Sequence, residues 1–179
     1  MPIHDPLHPL PRITLILGGA RSGKSRHAEQ LVQTSGLEPY YIATAQALDK
    51  EMSDRINEHR ARRGDRWRTI EEPLALTRTL HSVTAEGRAL LIDCLTLWLT
   101  NLMVHDRPIE AEIDSFVESL EALSGAAVFV SNEVGQGVMP TNAMARAFID
   151  HAGRLHQRLA EQADQVLLMT AGLAQQLKP

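Results

Sequence analysis

Short apolar runs alternate with longer amphipathic segments along the chain. The runs predict buried strands at residues 13–17, 39–44, 67–71, 89–93, 126–131 and 165–171. The amphipathic segments predict helices at residues 23–35, 49–63, 74–84, 95–105, 109–123 and 142–163. Because strands and helices alternate, we expect a three-layer α/β fold, in which helices flank both faces of a mostly parallel β-sheet.

The length of the chain, 179 residues without an internal repeat, fits one domain. Residues 1–12 contain four prolines and two histidines, so we predict a flexible N-terminal tail and a single domain at residues 13–179. The longest apolar run, residues 89–100, is interrupted by Asp93 and is too short to cross a bilayer. We therefore expect a soluble protein without a membrane span.

Charge and cysteine content narrow the function classes further. The formal net charge is −4, which argues against a general nucleic-acid binder. Cys94 is the single cysteine, so an intrachain disulfide is excluded and a reducing, cytoplasmic location is expected.

A glycine-rich segment directly after the first predicted strand has the pattern Gly-x4-Gly-Lys-Ser. Its residues are Gly18, Gly19, Ala20, Arg21, Ser22, Gly23, Lys24 and Ser25. A loop of this kind between a strand and a helix turns backbone N–H groups toward a phosphate, and the helix N-terminus adds partial positive charge. We expect Lys24 to reach the β- and γ-phosphates and the Ser25 hydroxyl to ligate Mg2+. The segment therefore predicts a nucleotide site, the alternative being a purely structural turn.

Two acidic residues follow other predicted strands. Asp93 ends the run 89–92, the position of the second acidic group in phosphate-loop proteins, where it would hold Mg2+ opposite Ser25. The alternative is a carboxylate that caps the helix beginning at Leu95. Glu133 would orient an acceptor hydroxyl or take its proton, bind substrate, or bind a structural water, and its role stays open.

The segment 49–63 combines a histidine with many arginines. If it is helical, Arg55, His59 and Arg62 share one face, because they are spaced i, i+4 and i+7. Neighbouring cations disfavour the charged imidazole, so the neutral, nucleophilic form would predominate. This combination suits attack by a histidine on phosphorus, with arginines neutralising a triphosphate. The alternative is a solvated helix face on which His59 is a surface residue.

Several motifs, in this order along the chain, resemble those of one family. They lie at residues 18–27, 41–45, 49–52, 55–63, 91–96, 100–102 and 132–135. Together they resemble the bifunctional adenosylcobinamide kinase/adenosylcobinamide-phosphate guanylyltransferase family of cobalamin biosynthesis. The resemblance covers about residues 13–178.

What the resemblance implies is a two-step enzyme with a P-loop, RecA-like fold. ATP or GTP, with Mg2+, would phosphorylate adenosylcobinamide; GMP would then pass from GTP through His59 to the new phosphate, giving adenosylcobinamide-GDP and pyrophosphate. The resemblance also implies a homotrimer. Positions matching the family's nucleotide contacts are the loop 18–25, Thr44, Ala45, Gln46, Ala61, Arg62, Arg63, Gly64, Glu72 and Asp93.

Two other functions remain as alternatives. A single-activity P-loop small-molecule kinase would use the same loop and leave His59 without a role. A non-catalytic nucleotide-binding regulator or a RecA-like nucleic-acid motor subunit would be expected to carry a broad basic surface, which the net charge of −4 does not favour.

Overall fold

The computed structural model describes residues 9–46, 50, 54, 57, 60, 61 and 63–179. Its strands are β1 (Ile13–Gly18), β2 (Glu38–Ala43), β3 (Arg68–Glu71), β4 (Arg88–Asp93), β5 (Ala126–Asn132), β6 (Gln165–Thr170) and β7 (Leu173–Lys178). They form one sheet in the order β3-β2-β4-β5-β1-β6-β7. Every neighbouring pair is parallel except β6 and β7, which confirms the mostly parallel sheet.

The helices lie where the amphipathic segments predict them. They are α1 (Lys24–Thr34), α2 (Leu76–Val83), α3 (Leu95–Val104), α4 (Ile109–Ser119) and α5 (Ala143–Gln162). The predicted end of α4 at residue 123 is wrong, because the chain tightens into a 3-10 turn at Leu120–Ala122. The described residues of the predicted helix 49–63 are all helical. They are Lys50, Asp54, Asn57, Arg60, Ala61 and Arg63.

Alternate residues of the central strands bury two separate cores, one on each face of the sheet. On one face, Phe116 of α4 packs between Trp98 of α3 and Phe129 of β5, with ring centroids 5.2 and 5.5 Å apart. On the other face, Ile16 and Leu91 pack with residues of α1. Because both faces are covered, the central strands are largely apolar, and the predicted three-layer arrangement is confirmed.

β7 is an additional strand that the apolar runs did not predict. Most of its residues are exposed, so it lacks the continuous apolar character of the central strands. It returns along β6 after the two-residue turn Ala171-Gly172, in which both residues have positive φ (52° and 80°). The Gly172 N–H donates to the carbonyl oxygen of Ser22 at 2.9 Å, so this turn supports the glycine-rich loop.

The beginning of the domain differs from the prediction. Residues 1–8 of the predicted tail lie outside the described residues. Leu10 is buried in the core on the α1 side, and the Arg12 guanidinium donates to the carbonyl oxygen of Leu120 at 3.0 Å. The packed part of the chain therefore includes Leu10 and Arg12, upstream of the predicted boundary at Ile13.

The strand register brings polar loop beginnings to one edge of the sheet. Gly18 of β1 is paired with Asn132 of β5, and Ala43 of β2 is paired with Asp93 of β4. Ligands of parallel α/β sheets bind beyond the carboxyl ends of the strands. We therefore expect a ligand site at this edge of the sheet.

Candidate nucleotide site

The glycine-rich loop depends on glycine at two positions. Gly18 has φ +153°, and a Cβ there would lie 2.5 Å from the Met169 carbonyl oxygen and 2.7 Å from Ser22 Oγ. Gly23, the N-cap of α1, has φ +97°, a conformation that residues with side chains rarely adopt. The loop consequently keeps a tight path from β1 into the N-terminus of α1, which is the geometry that a phosphate-binding loop requires.

Polar groups of the loop are buried and directed inward. The Lys24 ammonium is largely buried and donates to the Gly19 carbonyl oxygen at 2.6 Å, so its side chain folds back over the loop. Ser22 Oγ is buried without a hydrogen-bond partner. A buried hydroxyl without a partner costs free energy, and it lies in the loop where the sequence predicts a bound phosphate.

A cavity of about 450 Å3 opens beside this loop. It is lined by three sets of residues: the loop and start of α1, the ends of the central strands, and the described end of the arginine-rich segment with β3. The lining residues are Ala20, Arg21, Ser22, Gly23, Lys24, Ser25, Arg26, Tyr41, Ala43, Ala45, Arg60, Arg63, Thr69, Glu71, Asp93, Cys94, Leu97, Val130 and Asn132. Lys24, Ser25 and Asp93 therefore share one cavity.

Asp93 lies at the wall of this cavity, where its carboxylate Oδ2 accepts a hydrogen bond from the Tyr41 hydroxyl at 3.0 Å. Burial and the adjacent Asp93 carboxylate raise the pKa of Tyr41 well above its ordinary value, so the hydroxyl remains a donor. The N-cap of α3 is Cys94 and not Asp93, which does not support the helix-capping alternative. Burial raises the pKa of the Cys94 thiol to about 11, so this cysteine is protonated and inert.

Two arginines from the end of the segment 49–63 also line the cavity. Arg63 is 7% exposed; its Nε and Nη1 atoms have no hydrogen-bond partner, and Glu29 Oε1 lies 3.8 Å from Nη1. The guanidinium lies over the Tyr41 ring, 3.4 Å from its centroid. Arg60 is more exposed and pairs with Glu71 of β3 at 3.3 Å. The cavity thus carries positive charge on two sides, at Lys24 and at these arginines.

Several predicted nucleotide contacts lie elsewhere or outside the described residues. His59 and Arg62 lie outside the described residues. Among the described residues, the cavity lining does not include Gly18, Gly19, Thr44, Gln46, Ala61, Gly64 or Glu72. Thr44 is fully buried, and its hydroxyl donates to the Cys94 carbonyl oxygen and accepts from the Cys94 N–H. It therefore joins the residues that directly follow β2 and β4.

Glu72 has a defined structural role at the start of α2. Its carboxylate accepts hydrogen bonds from the N–H groups of Leu74 and Ala75, at 3.0 and 2.7 Å, and from the Thr79 hydroxyl at 3.1 Å. Burial alone would raise its pKa, but these hydrogen bonds outweigh that effect and lower the pKa below 4.5. The carboxylate therefore stabilises the entry to α2 in its charged form.

We expect Glu72→Ala to lower the free energy of unfolding by about 1–2 kcal/mol at neutral pH, since it removes these acceptors. Because the folded pKa is depressed, this stabilisation is present above pH 4.5 and is lost as the pH falls through the folded pKa. Denaturant unfolding at several pH values measures both effects. Glu71→Ala is the control: its exposed pair with Arg60 is expected to contribute about 0–1 kcal/mol. Equal losses in the two variants would contradict this role of Glu72 at the entry to α2.

Some residues at the site were not singled out from the sequence. Asn132 lines the cavity and donates to the Thr96 hydroxyl at 2.9 Å. Glu133, which the sequence indicates as the candidate at this strand end, accepts from the Gly135 N–H. Their positions at the end of β5 were the available signal, but the strand end alone does not say which side chain faces the cavity. Tyr41 was part of a family motif only, and its contact with Asp93 depends on β2 lying next to β4.

A parallel sheet with this loop at the carboxyl end of β1 defines a P-loop nucleotide-binding protein. Solved structures support the RecA-like arrangement. An ATPase from the type III secretion system of pathogenic bacteria aligns over 93% of this chain with a TM-score of 0.58 at 11% identity, and the chain spans 57% of it. The RadB recombinase aligns over 89% of this chain and 74% of its own, with a TM-score of 0.54 at 16% identity.

The chain belongs to the cobinamide kinase/cobinamide phosphate guanyltransferase family, whose model matches residues 14–177. It is 55% identical to the bifunctional adenosylcobalamin biosynthesis protein CobP of Pseudomonas aeruginosa, over 92% of this chain and 96% of that protein. It is 38% identical to the bifunctional adenosylcobalamin biosynthesis protein CobU of Escherichia coli K12, over 92% of this chain and 98% of that protein. The family resemblance in the motifs is therefore confirmed, and with it a transferase of cobalamin biosynthesis.

Membrane-spanning helices and metal-binding clusters are both absent from the described part of the chain. No helix in it is both long and apolar enough to cross a bilayer. It also contains no cluster of three or more His, Cys, Asp or Glu side chains that could hold a metal ion.

Proposed function

We propose that this chain phosphorylates adenosylcobinamide with ATP or GTP and then transfers GMP from GTP to the new phosphate. The products would be adenosylcobinamide-GDP and pyrophosphate. One observation carries the proposal: a single cavity is lined both by the phosphate-binding loop and by Arg60 and Arg63, which belong to the same segment as His59. The loop alone fits any P-loop kinase; the arginines in the same cavity are cations that would neutralise the pyrophosphate released in a nucleotidyl transfer.

In the kinase step, the loop and the N-terminus of α1 would hold the β- and γ-phosphates of the donor. Lys24 would stabilise the charge that develops on the γ-phosphoryl group as the hydroxyl of adenosylcobinamide attacks it. The Ser25 hydroxyl and the Asp93 carboxylate line the cavity together, and such oxygen donors fit Mg2+. Bound there, Mg2+ would neutralise phosphate charge.

In the guanylyl transfer, the imidazole of His59 would attack the α-phosphorus of GTP. A phosphorus–nitrogen bond would form, the bond to the bridging oxygen would break, and pyrophosphate would leave, its charge offset by the arginines. The phosphate of adenosylcobinamide phosphate would then attack the same phosphorus and displace the histidine nitrogen. The buried, hydrogen-bond-deficient Arg63 supports this step, because it lines the cavity as a cation available to a phosphate.

The finer features implied by the resemblance belong to the same proposal. We infer a homotrimer with a corrinoid substrate, in a cytoplasmic setting that suits a chain with one buried cysteine. The nucleotide contacts predicted at Thr44, Gln46, Ala61, Gly64 and Glu72 remain proposals.

The decisive experiment incubates the purified protein with α-labelled GTP and separates it by denaturing electrophoresis. We expect an acid-labile label on the protein, which adenosylcobinamide phosphate discharges into adenosylcobinamide-GDP. A parallel incubation with γ-labelled donor should label adenosylcobinamide itself. Phosphorylation without any protein-bound label would favour the single-activity kinase instead.

A further inference from the structure

Tyr41 lies at the centre of β2 and contacts two charged groups of the site. It is 5% exposed, and its hydroxyl donates to Asp93 Oδ2 at 3.0 Å. One face of its ring carries the Arg63 guanidinium, 3.4 Å from the centroid. Trp67 contacts it in a T-shaped arrangement, with centroids 6.2 Å apart. The ring is therefore fixed on several sides while its two polar contacts both line the cavity.

Each contact restrains a group whose orientation matters. A hydrogen bond to one carboxylate oxygen limits rotation of the Asp93 carboxylate, and outer hydrogen bonds of this kind orient metal ligands. Arg63 is held by this stacking and by a buried ion pair with Glu29 that is 3.8 Å long, and its Nε and Nη1 atoms make no hydrogen bond. Stacking leaves guanidinium N–H donors available for an anionic ligand.

We propose that Tyr41 is a positioning residue for the nucleotide site: its hydroxyl orients the Asp93 carboxylate for Mg2+, and its ring face holds the Arg63 guanidinium toward the phosphates. This inference rests on the proposed function, because it assumes that Asp93 serves the metal and Arg63 the nucleotide. It assigns one role to the hydroxyl and another to the ring. Substitutions can remove the hydroxyl alone or the hydroxyl and the ring together.

The neighbouring Tyr40 provides a matched control. It is also 5% exposed, and it too lies under guanidinium groups, those of Arg88 at 4.8 Å and Arg68 at 5.7 Å. Because consecutive side chains of a strand point to opposite faces, Tyr40 packs in the other core and does not line the cavity. Tyr40→Phe thus removes a hydroxyl from the same strand without touching the site.

The test measures equilibrium binding of GDP by calorimetry, without Mg2+ and over a Mg2+ titration, for the wild type, Tyr41→Phe, Tyr41→Leu and Tyr40→Phe. For Tyr41→Phe we expect about a 10-fold higher Mg2+ concentration at half-saturation and unchanged metal-free GDP affinity. Tyr41→Leu should also weaken metal-free GDP binding, and the phenylalanine variant should restore it. Tyr40→Phe should match the wild type in both measurements.

The outcomes separate this inference from the proposed function. Suppose that wild-type GDP binding responds to Mg2+ and that Asp93→Asn abolishes that response. The inference is then overturned if Tyr41→Phe gives the same Mg2+ titration as the wild type. If the wild type itself shows no Mg2+ response, the proposed metal site fails, and the role of Tyr41 fails with it. Thermal unfolding checks each variant; should Tyr41→Leu not fold, Tyr41→Phe alone decides, because it keeps the buried ring.

Discussion

Lys24→Ala is expected to lower both the kinase and the guanylyltransferase activity by about 100- to 1,000-fold, the usual loss when one preorganised charge donor is removed from a transition state. In the proposed mechanism the triphosphate of the donor lies on the same loop in both steps, so one lysine would serve both. Its ammonium is already buried and folded over the loop toward the Gly19 carbonyl oxygen. Rates of adenosylcobinamide phosphorylation and of adenosylcobinamide-GDP formation, measured separately, give the two effects.

Lys178→Ala is the control for this substitution. Lys178 donates to the carbonyl oxygens of Ala160 and Glu161 at the end of α5, and it does not line the cavity. Its loss should leave both rates near the wild-type values. A Lys24→Ala protein that keeps either activity at the wild-type rate would show that the two reactions do not share the loop.

The sheet could be predicted from the sequence because its central strands are covered on both faces. Continuous apolar runs such as 89–92 and 126–130 have few other structural solutions, and their predicted bounds agree with β4 and β5 within one residue. β7 lacks this signal, since it is a largely exposed edge strand. Local pattern therefore predicts the core strands well and the edge strand poorly.

The site could be predicted where it is local in sequence. The residues of the loop 18–25 that would bind phosphate are consecutive in sequence. The residues that support the loop are distant in sequence: a Cβ added at Gly18 would meet Met169 of β6. The adjacent tyrosines make the same point, because Tyr40 and Tyr41 look alike in sequence and only the strand order shows which one meets Asp93. Contacts between non-adjacent elements are thus what the sequence alone could not provide.

The family resemblance and the geometry indicate different acidic residues at the end of β3. The family resemblance implies a nucleotide contact at Glu72, but the carboxylate at that position is engaged with the start of α2, and Glu71 is the acidic residue that lines the cavity. Glu71 pairs with Arg60, the residue that follows His59 in the chain. This pair joins the end of the arginine-rich segment to the edge of the sheet, on the same side as the loop.

His59→Asn should abolish the protein-bound label from α-labelled GTP and lower guanylyl transfer by at least about 1,000-fold, as expected when the nucleophile of a covalent mechanism is removed. The amide of asparagine keeps a polar side chain of similar size but lacks the nucleophilic ring nitrogen. Phosphorylation of adenosylcobinamide should remain near the wild-type rate, because the loop and Lys24 are unchanged.

A matched histidine makes this result specific. His151 lies on α5, and its ring pairs with Glu110 at a distance of 2.9 Å. It does not line the cavity, so His151→Asn should retain both the label and both activities. Label that persists in the His59→Asn protein would assign the guanylyl group to another residue. Loss of phosphorylation together with the label would indicate instead that the segment 49–63 is needed to form the nucleotide site itself. Retained phosphorylation with lost label is the pattern expected if the loop holds the nucleotide in both reactions and His59 is the nucleophile that attacks its α-phosphorus.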